Sequence, residues 1–150
     1  MIVAIATDHA GFSLKETVIN QIKAMGHDVL DLGACNCESS DFPDFAAAAA
    51  QALAAGKAWR AVLLCGSGVG MAVVANKIKG VRAGVCHDCY SAAQGVQHEE
   101  MNALCIGARI VGPSLAEELV KAFLNAKFEG KERQLRRLQK IADIEERNFK

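Results

Sequence analysis

Five short apolar runs, each followed by a stretch with helical spacing, limit this chain to very few folds. Ile2 to Ala6 is apolar on both sides of the pleat, as a buried parallel strand is. Leu14, Val18, Ile22 and Met25 then recur at helical spacing until Gly26. Val29 to Leu32 reads as the second strand. A polar loop from Gly33 to Asp44 follows, with Asp41 or Asp44 placed to cap an Ala-rich helix. Ala61 to Cys65, Val81 to Cys86 and Ala103 to Gly107 are the third, fourth and fifth strands. Helices are expected after the glycine turn to about Lys77, from about Tyr90, and from Leu115 to Ala126. In the last of these, Leu115, Leu119, Val120 and Phe123 form the inner face. Lys131 to Lys150 carries Leu135, Leu138, Ile141 and Ile144, an amphipathic helix for the body or a partner. Such alternation predicts a three-layer α/β/α, Rossmann-like, doubly wound sheet of five parallel strands, plus the C-terminal helix. Ligands of such sheets sit outside the carboxyl ends of the strands.

Residues 1–150 are expected to form one domain, because a chain of this length can enclose a full core. Seventeen basic residues balance seventeen acidic ones, without the basic excess of a general nucleic-acid binder. No run approaches the 18 apolar residues of a membrane span. The start lacks a basic region ahead of its apolar run, so no export signal is read and the six cysteines are expected reduced, in the cytoplasm.

Several segments that follow strands could carry chemistry. Asp8-His9-Ala10-Gly11 places a carboxylate and an imidazole where hydroxyls and phosphate could be bound and protons moved. The plainer alternative is a capping Asp8 and a surface His9. In Cys65-Gly66-Ser67-Gly68-Val69-Gly70 the glycines let backbone N–H groups turn toward an anion, and the next helix adds its positive end. The spacing fits neither the dinucleotide fingerprint nor a nucleotide P-loop. A thiol at such a position is favoured as thiolate, a base or nucleophile, although a small buried hydrophobe is the commoner fate of a free cysteine.

His98-Glu99-Glu100-Met101-Asn102 precedes the fifth strand and offers a second proton carrier, or a solvated helix end. Arg133 and Arg137, four apart on one helix face, suit a phosphate, and Arg136 and Arg109 add charge nearby. The same run could be a solvated face. The pairs Cys35/Cys37 and Cys86/Cys89 lack the context of a zinc knuckle or a redox turn, and are read as structural thiols. His27 and His87 have no constellation around them and are left structural.

Taken in order and spacing, Asp8-His9-Ala10-Gly11, Asp41-Phe42-Pro43, the Cys65–Gly70 turn, Ala75-Asn76-Lys77, His98 with Asn102, and Gly107-Ala108-Arg109 resemble one family. It is that of ribose-5-phosphate isomerase B and the galactose-6-phosphate and allose-6-phosphate isomerases, and the likeness runs from Ile2 to about Arg147. The resemblance implies an aldose–ketose isomerase with neither metal nor cofactor, acting on ribose 5-phosphate and ribulose 5-phosphate through a cis-enediolate. Cys65 would be the base moving the proton between carbons 2 and 1, assisted by Ser67. The N–H groups of Gly66, Gly68, Val69 and Gly70 would stabilise the enediolate oxygen. His98 would open the furanose ring, with Asp8 binding and polarising the sugar hydroxyls. His9, Arg133 and Arg137, with Arg109, would hold the phosphate, and Glu99 and Asn102 would line the sugar. It further implies a homodimer sharing its active sites, with a tetramer as an extension. A branch that uses a glutamate after the glycine turn is excluded by Met71-Ala72-Val73, which leaves the cysteine-base branch.

Three positions depart from the family pattern. Glu99 stands where relatives usually carry Asn, so it can only accept hydrogen bonds when ionised. Phe42 replaces a Tyr and lacks its hydroxyl. The arginine segment contains one extra residue, which leaves open which of Arg133, Arg136 and Arg137 match the family's pair. Allose, galactose or tetrose phosphates therefore stand beside ribose 5-phosphate as substrates. A non-catalytic sugar-phosphate-binding module would keep the arginines without needing the base.

Overall fold

A computed structural model describes residues 1–149. Its elements are β1 (Ile2–Thr7), α1 (Lys15–Ala24, entered through a 3-10 turn at Phe12–Leu14), β2 (Asp28–Asp31), α2 (Phe42–Ala54) and β3 (Arg60–Cys65). There follow α3 (Val69–Ala75), β4 (Ala83–Val85), α4 (Cys89–Glu99), β5 (Ala103–Gly107), α5 (Pro113–Asn125) and α6 (Glu132–Asn148). All strand pairs are parallel, in the order β2-β1-β3-β5-β4.

Alternation along each strand explains the layers. Val3 and Ile5 of β1, Val62 and Leu64 of β3, and Leu104 and Ile106 of β5 face one side, against Val18 and Ile22 of α1, Val96 of α4 and Leu119, Val120 and Phe123 of α5. The opposite face shows smaller residues, Ala4, Ala6, Ala61 and Ala103. Against them lie Ala46, Ala49 and Ala50 of α2 and Met71 and Ala75 of α3, all fully buried. Alanine on both surfaces lets α2 lie close to the sheet. Leu115, expected on the inner face of α5, is exposed, and Ala116 takes the buried place. The helix starts at Pro113, a residue suited to the first turn, and this fixes the face.

Arg60 is a buried cation that pairs with no carboxylate among the described residues. Its guanidinium donates to Phe123 O and, at 2.9 Å, to Ala126 O at the C-terminal end of α5. It also stacks between Trp59 (4.2 Å) and Phe123 (5.1 Å). Burial pulls its pKa down to about 10, so it stays charged at neutral pH. Arg60→Ala leaves two carbonyls unpaired and an empty slot between two rings. The expected loss is about 2–4 kcal/mol of unfolding free energy, read by urea denaturation.

Candidate active site

The sheet reverses its winding between β1 and β3, since β2 lies beyond β1 and the later strands lie beyond β3. Such a point leaves a crevice at the carboxyl ends of the two strands. Asp8 leaves β1 there and Cys65 ends β3, with the Asp8 N–H donating to Leu64 O at 3.3 Å. Asp8, His9, Ala10, Phe42, Cys65, Gly66, Ser67, Gly70, Arg109 and Ile110 line a cleft of about 410 Å³ at this place.

Backbone close to backbone shapes the floor. A Cβ on Gly11 would stand 2.5 Å from Leu64 C and O, so no other residue fits between the first turn and β3. Gly11 donates its N–H to Asp8 Oδ1 at 2.9 Å, which orients a carboxylate that is 5% exposed. After Cys65 the chain turns through Gly68 at φ +80°, where an added Cβ would stand 3.2–3.3 Å from the backbone of β5. That left-handed residue aims its own N–H at Cys65 Sγ, 3.1 Å away. Ser67 is exposed, with its Oγ accepting from Val69 N–H at 3.3 Å. Arg109 lies over Gly66, and the two backbones are joined by Arg109 N–H donating to Gly66 O at 3.1 Å.

The loop before α2 forms one wall. Ser40 grips His9 twice: its Oγ accepts the His9 N–H at 3.1 Å, and its backbone N–H lies 3.2 Å from His9 Nδ1. The first interaction needs no particular tautomer; Nδ1 lies 3.2 Å from both the N–H and the carbonyl oxygen of Ser40, so it is held there as acceptor or as donor and Nε2 is left for a ligand. Phe42 stacks against Gly70, where an added Cβ would stand 2.9 Å from the ring.

The remaining expected site residues gather elsewhere. α4 starts beside the cleft edge of the sheet and runs 11 residues, about 16 Å, back along it. His98 and Glu99 therefore lie at the edge where the strands begin. Glu129 N–H donates to Gln97 O at 3.0 Å, bringing the start of α6 to the same end. Arg133, Arg136 and Arg137 are exposed along α6. Asn102 spends its amide within the chain, accepting from Arg82 N–H at 2.8 Å and donating to Gly80 O at 2.9 Å. Asn76 clips the same loop by accepting from Ala83 N–H at 2.8 Å. Within one chain, then, the cleft brings together Asp8, His9, Cys65, Ser67, the glycine turn and Arg109, but not His98, Glu99, Asn102, Arg133 or Arg137.

His87, left structural in the sequence reading, accepts the Gly107 N–H through Nε2 at 2.9 Å. It thereby fixes the end of β5 just ahead of Arg109. Its only sequence signal was its place after a strand. The other cysteines divide clearly. Cys35, Cys37 and Cys89 are exposed, while Cys86 and Cys105 are buried. Burial, aided by the Asp88 carboxylate, pushes the Cys86 thiol up to about 11, and burial raises Cys105 further.

Comparison with known proteins points the same way as the cleft. A family model described as Ribose/Galactose Isomerase matches residues 3–141. The chain is 40% identical over 145 residues to ribose-5-phosphate isomerase B of Escherichia coli, covering 97% of each. It is 41% identical over 129 residues to a D-erythrulose-4-phosphate isomerase of Pectobacterium atrosepticum, covering 85% of each. The structure of ribose-5-phosphate isomerase B from Clostridium thermocellum superposes with a TM-score of 0.95 at 38% identity, over 98% of this chain and 99% of that one. Sequence and fold agree over nearly the whole length, and the strand-end cleft lies within the matched region. This chain belongs to the ribose/galactose isomerase family, and is a sugar-phosphate isomerase.

Proposed function

We propose that this enzyme interconverts ribose 5-phosphate and ribulose 5-phosphate without a metal, as a homodimer whose clefts are completed across the interface. The observation that carries the chemistry is Cys65 Sγ at the switch-point cleft, accepting a backbone N–H from the glycine turn. After ring opening, the Cys65 thiolate takes the proton from carbon 2 and returns it to carbon 1, with Ser67 beside it. Between these transfers the substrate is an enediolate. Its oxygen lies against the N–H groups of Gly66 to Gly70, which cost no reorganisation when the charge appears. Asp8 binds the sugar hydroxyls. His9 and Arg109 take part of the phosphate charge, and Arg133 and Arg137 of the partner subunit take the rest.

The dimer reading is supported by two facts. The cleft lacks the ring-opening histidine and the paired arginines, which the same chain carries at the far edge of its sheet. In addition α6 leaves Leu135, Ile141 and Ile144 exposed, and α3 leaves Val69 and Val73 exposed, an apolar surface suited to a second copy.

Phe42 favours a second reading. Its ring closes on Gly70 and offers the sugar no hydroxyl, which suits a shorter substrate, a tetrose phosphate. One experiment separates the two. Proton NMR of ribose 5-phosphate with the enzyme in D2O and EDTA is expected to show ribulose 5-phosphate carrying deuterium at carbon 1. An unchanged spectrum, with conversion of erythrose 4-phosphate under the same conditions, would replace the pentose by the tetrose.

A further inference from the structure

A second polar cluster, outside the cleft, ties the end of α4 to the start of α6. His98 sits between two side chains. Gln94 Nε2 is 2.9 Å from its Nδ1, and Glu129 Oε2 is 3.8 Å from its Nε2. Glu129 is itself held on several sides. Its backbone donates to Gln97 O, and its carboxylate accepts from Gln134 Nε2 at 3.0 Å and pairs with Lys131 Nζ at 2.7 Å. Gln134 is 1% exposed and accepts the Lys131 N–H at 2.9 Å, so the residue that orients Glu129 also caps α6. Lys131 first, and Gln134 second, hold the Glu129 carboxyl below the usual carboxylate range. A carboxylate fixed this firmly, facing the free nitrogen of a histidine, does more than cap a helix.

We propose that Glu129 is a positioning residue for ring opening, pairing with the imidazolium of His98 that protonates the furanose oxygen while Gln94 fixes the other ring nitrogen. This rests on the reading of His98 as the ring-opening acid. In that step the bond between carbon 1 and O4 breaks, its electron pair goes to O4, and O4 takes the proton of His98 Nε2. That proton is free for the sugar because Glu129 Oε2, 3.8 Å away, balances the charge without accepting a hydrogen bond. The O1 hydroxyl gives its proton to the second carboxylate oxygen of the partner subunit's Asp8, and the O–H electron pair becomes the second bond of the aldehyde. Neutral His98 then regains a proton from solvent, and the carboxyl of the partner's Asp8 releases its proton to solvent. Glu129 is negative, so it favours the charged ring, whereas the Gln94 amide can serve either tautomer by turning over. The same brace sets the distance between His98 and the arginines of α6, the two groups one chain offers to its partner's cleft.

The substrates themselves supply the test. Ribose 5-phosphate closes through O4, but ribulose 5-phosphate carries its phosphate on O5, the only oxygen that could close its furanose. It is therefore open-chain, and exchange of its carbon 1 proton with D2O needs Cys65 and no ring opening. Glu129→Gln keeps the shape and the contacts to Gln134. It is expected to lower kcat for ribose 5-phosphate about tenfold, with KM little changed, and to leave the ribulose 5-phosphate exchange rate at the wild-type level. Equal losses in both assays, or no loss in either, would overturn the role of Glu129. His98→Ala, run alongside, tests the reading beneath it. A selective loss there with an unaffected Glu129→Gln removes Glu129 alone, and a His98→Ala enzyme with no selective loss removes both. Should Glu129→Gln prove unstable, Glu129→Asp makes the same comparison, and its loss has to be confined to ribose 5-phosphate in the same way.

Discussion

Cys65→Ala is expected to abolish both conversion of ribose 5-phosphate and exchange of the ribulose 5-phosphate carbon 1 proton, a loss of roughly 10²- to 10⁴-fold or more in each. The two losses go together because both reactions pass through the enediolate, which only a base at carbons 1 and 2 can form. The other buried thiols cannot substitute: Cys86 and Cys105 lie inside the sheet layers, with their thiols pushed up by burial. Binding should survive. Removing one sulfur from the cleft leaves His9, Arg109 and the glycine turn in place, so the affinity for inorganic phosphate, measured by calorimetry, is expected to change less than threefold, on the order of a few tenths of a kcal/mol. Loss of exchange with retained phosphate binding would also separate this enzyme from a simple sugar-phosphate-binding module, which would have no exchange to lose. Turnover unchanged in Cys65→Ala would overturn the assignment of the base.

Much of this was legible in the sequence because two-sided apolar runs and helical spacing reflect the layers directly. β5 occupies Ala103–Gly107 as read, and β1, β2 and β3 shift by no more than one residue at either end. β4 is the exception. It is only Ala83–Val85, because the Asn76 and Asn102 amides take over the backbone of the loop before it. The order of β4 and β5 could not be read, since either order buries the same apolar residues. The cleft was legible where chemistry and local geometry coincide, as at Asp8-His9 and the glycine turn. His87 and Glu129 were not. Each is singled out by a contact to a residue distant along the chain, Gly107 and His98, and nothing in local spacing encodes such a pair. The same limit hid the split between the two edges of the sheet, which depends on α4 running back along the full height of the strands.

That split makes the largest qualitative prediction. If each cleft takes its Cys65 from one subunit and its His98 from the other, two inactive variants should repair one another. A mixed dimer of Cys65→Ala and His98→Ala has one cleft with both lesions and one with neither. Either homodimer has a lesion in both clefts. Co-expressing the two chains in equal amounts gives mixed dimers in about half of the molecules. Activity on ribose 5-phosphate should then rise from near zero to about a quarter of wild type, the ceiling set by one intact cleft in half of the dimers. If one chain supplied both residues, every cleft in every dimer would carry one lesion and no activity would return. The outcome also bears on α6. A variant such as Ile141→Asp, placed on its exposed apolar face, should lower the recovered activity together with the dimer fraction in sedimentation, because the helix that carries the arginines has to reach the other subunit's cleft. The strand-end crevice can then be understood as half of a site. Recovered activity would mean that it holds the base and the enediolate, and leaves ring opening and most of the phosphate charge to groups that a second copy presents from the opposite edge of its own sheet.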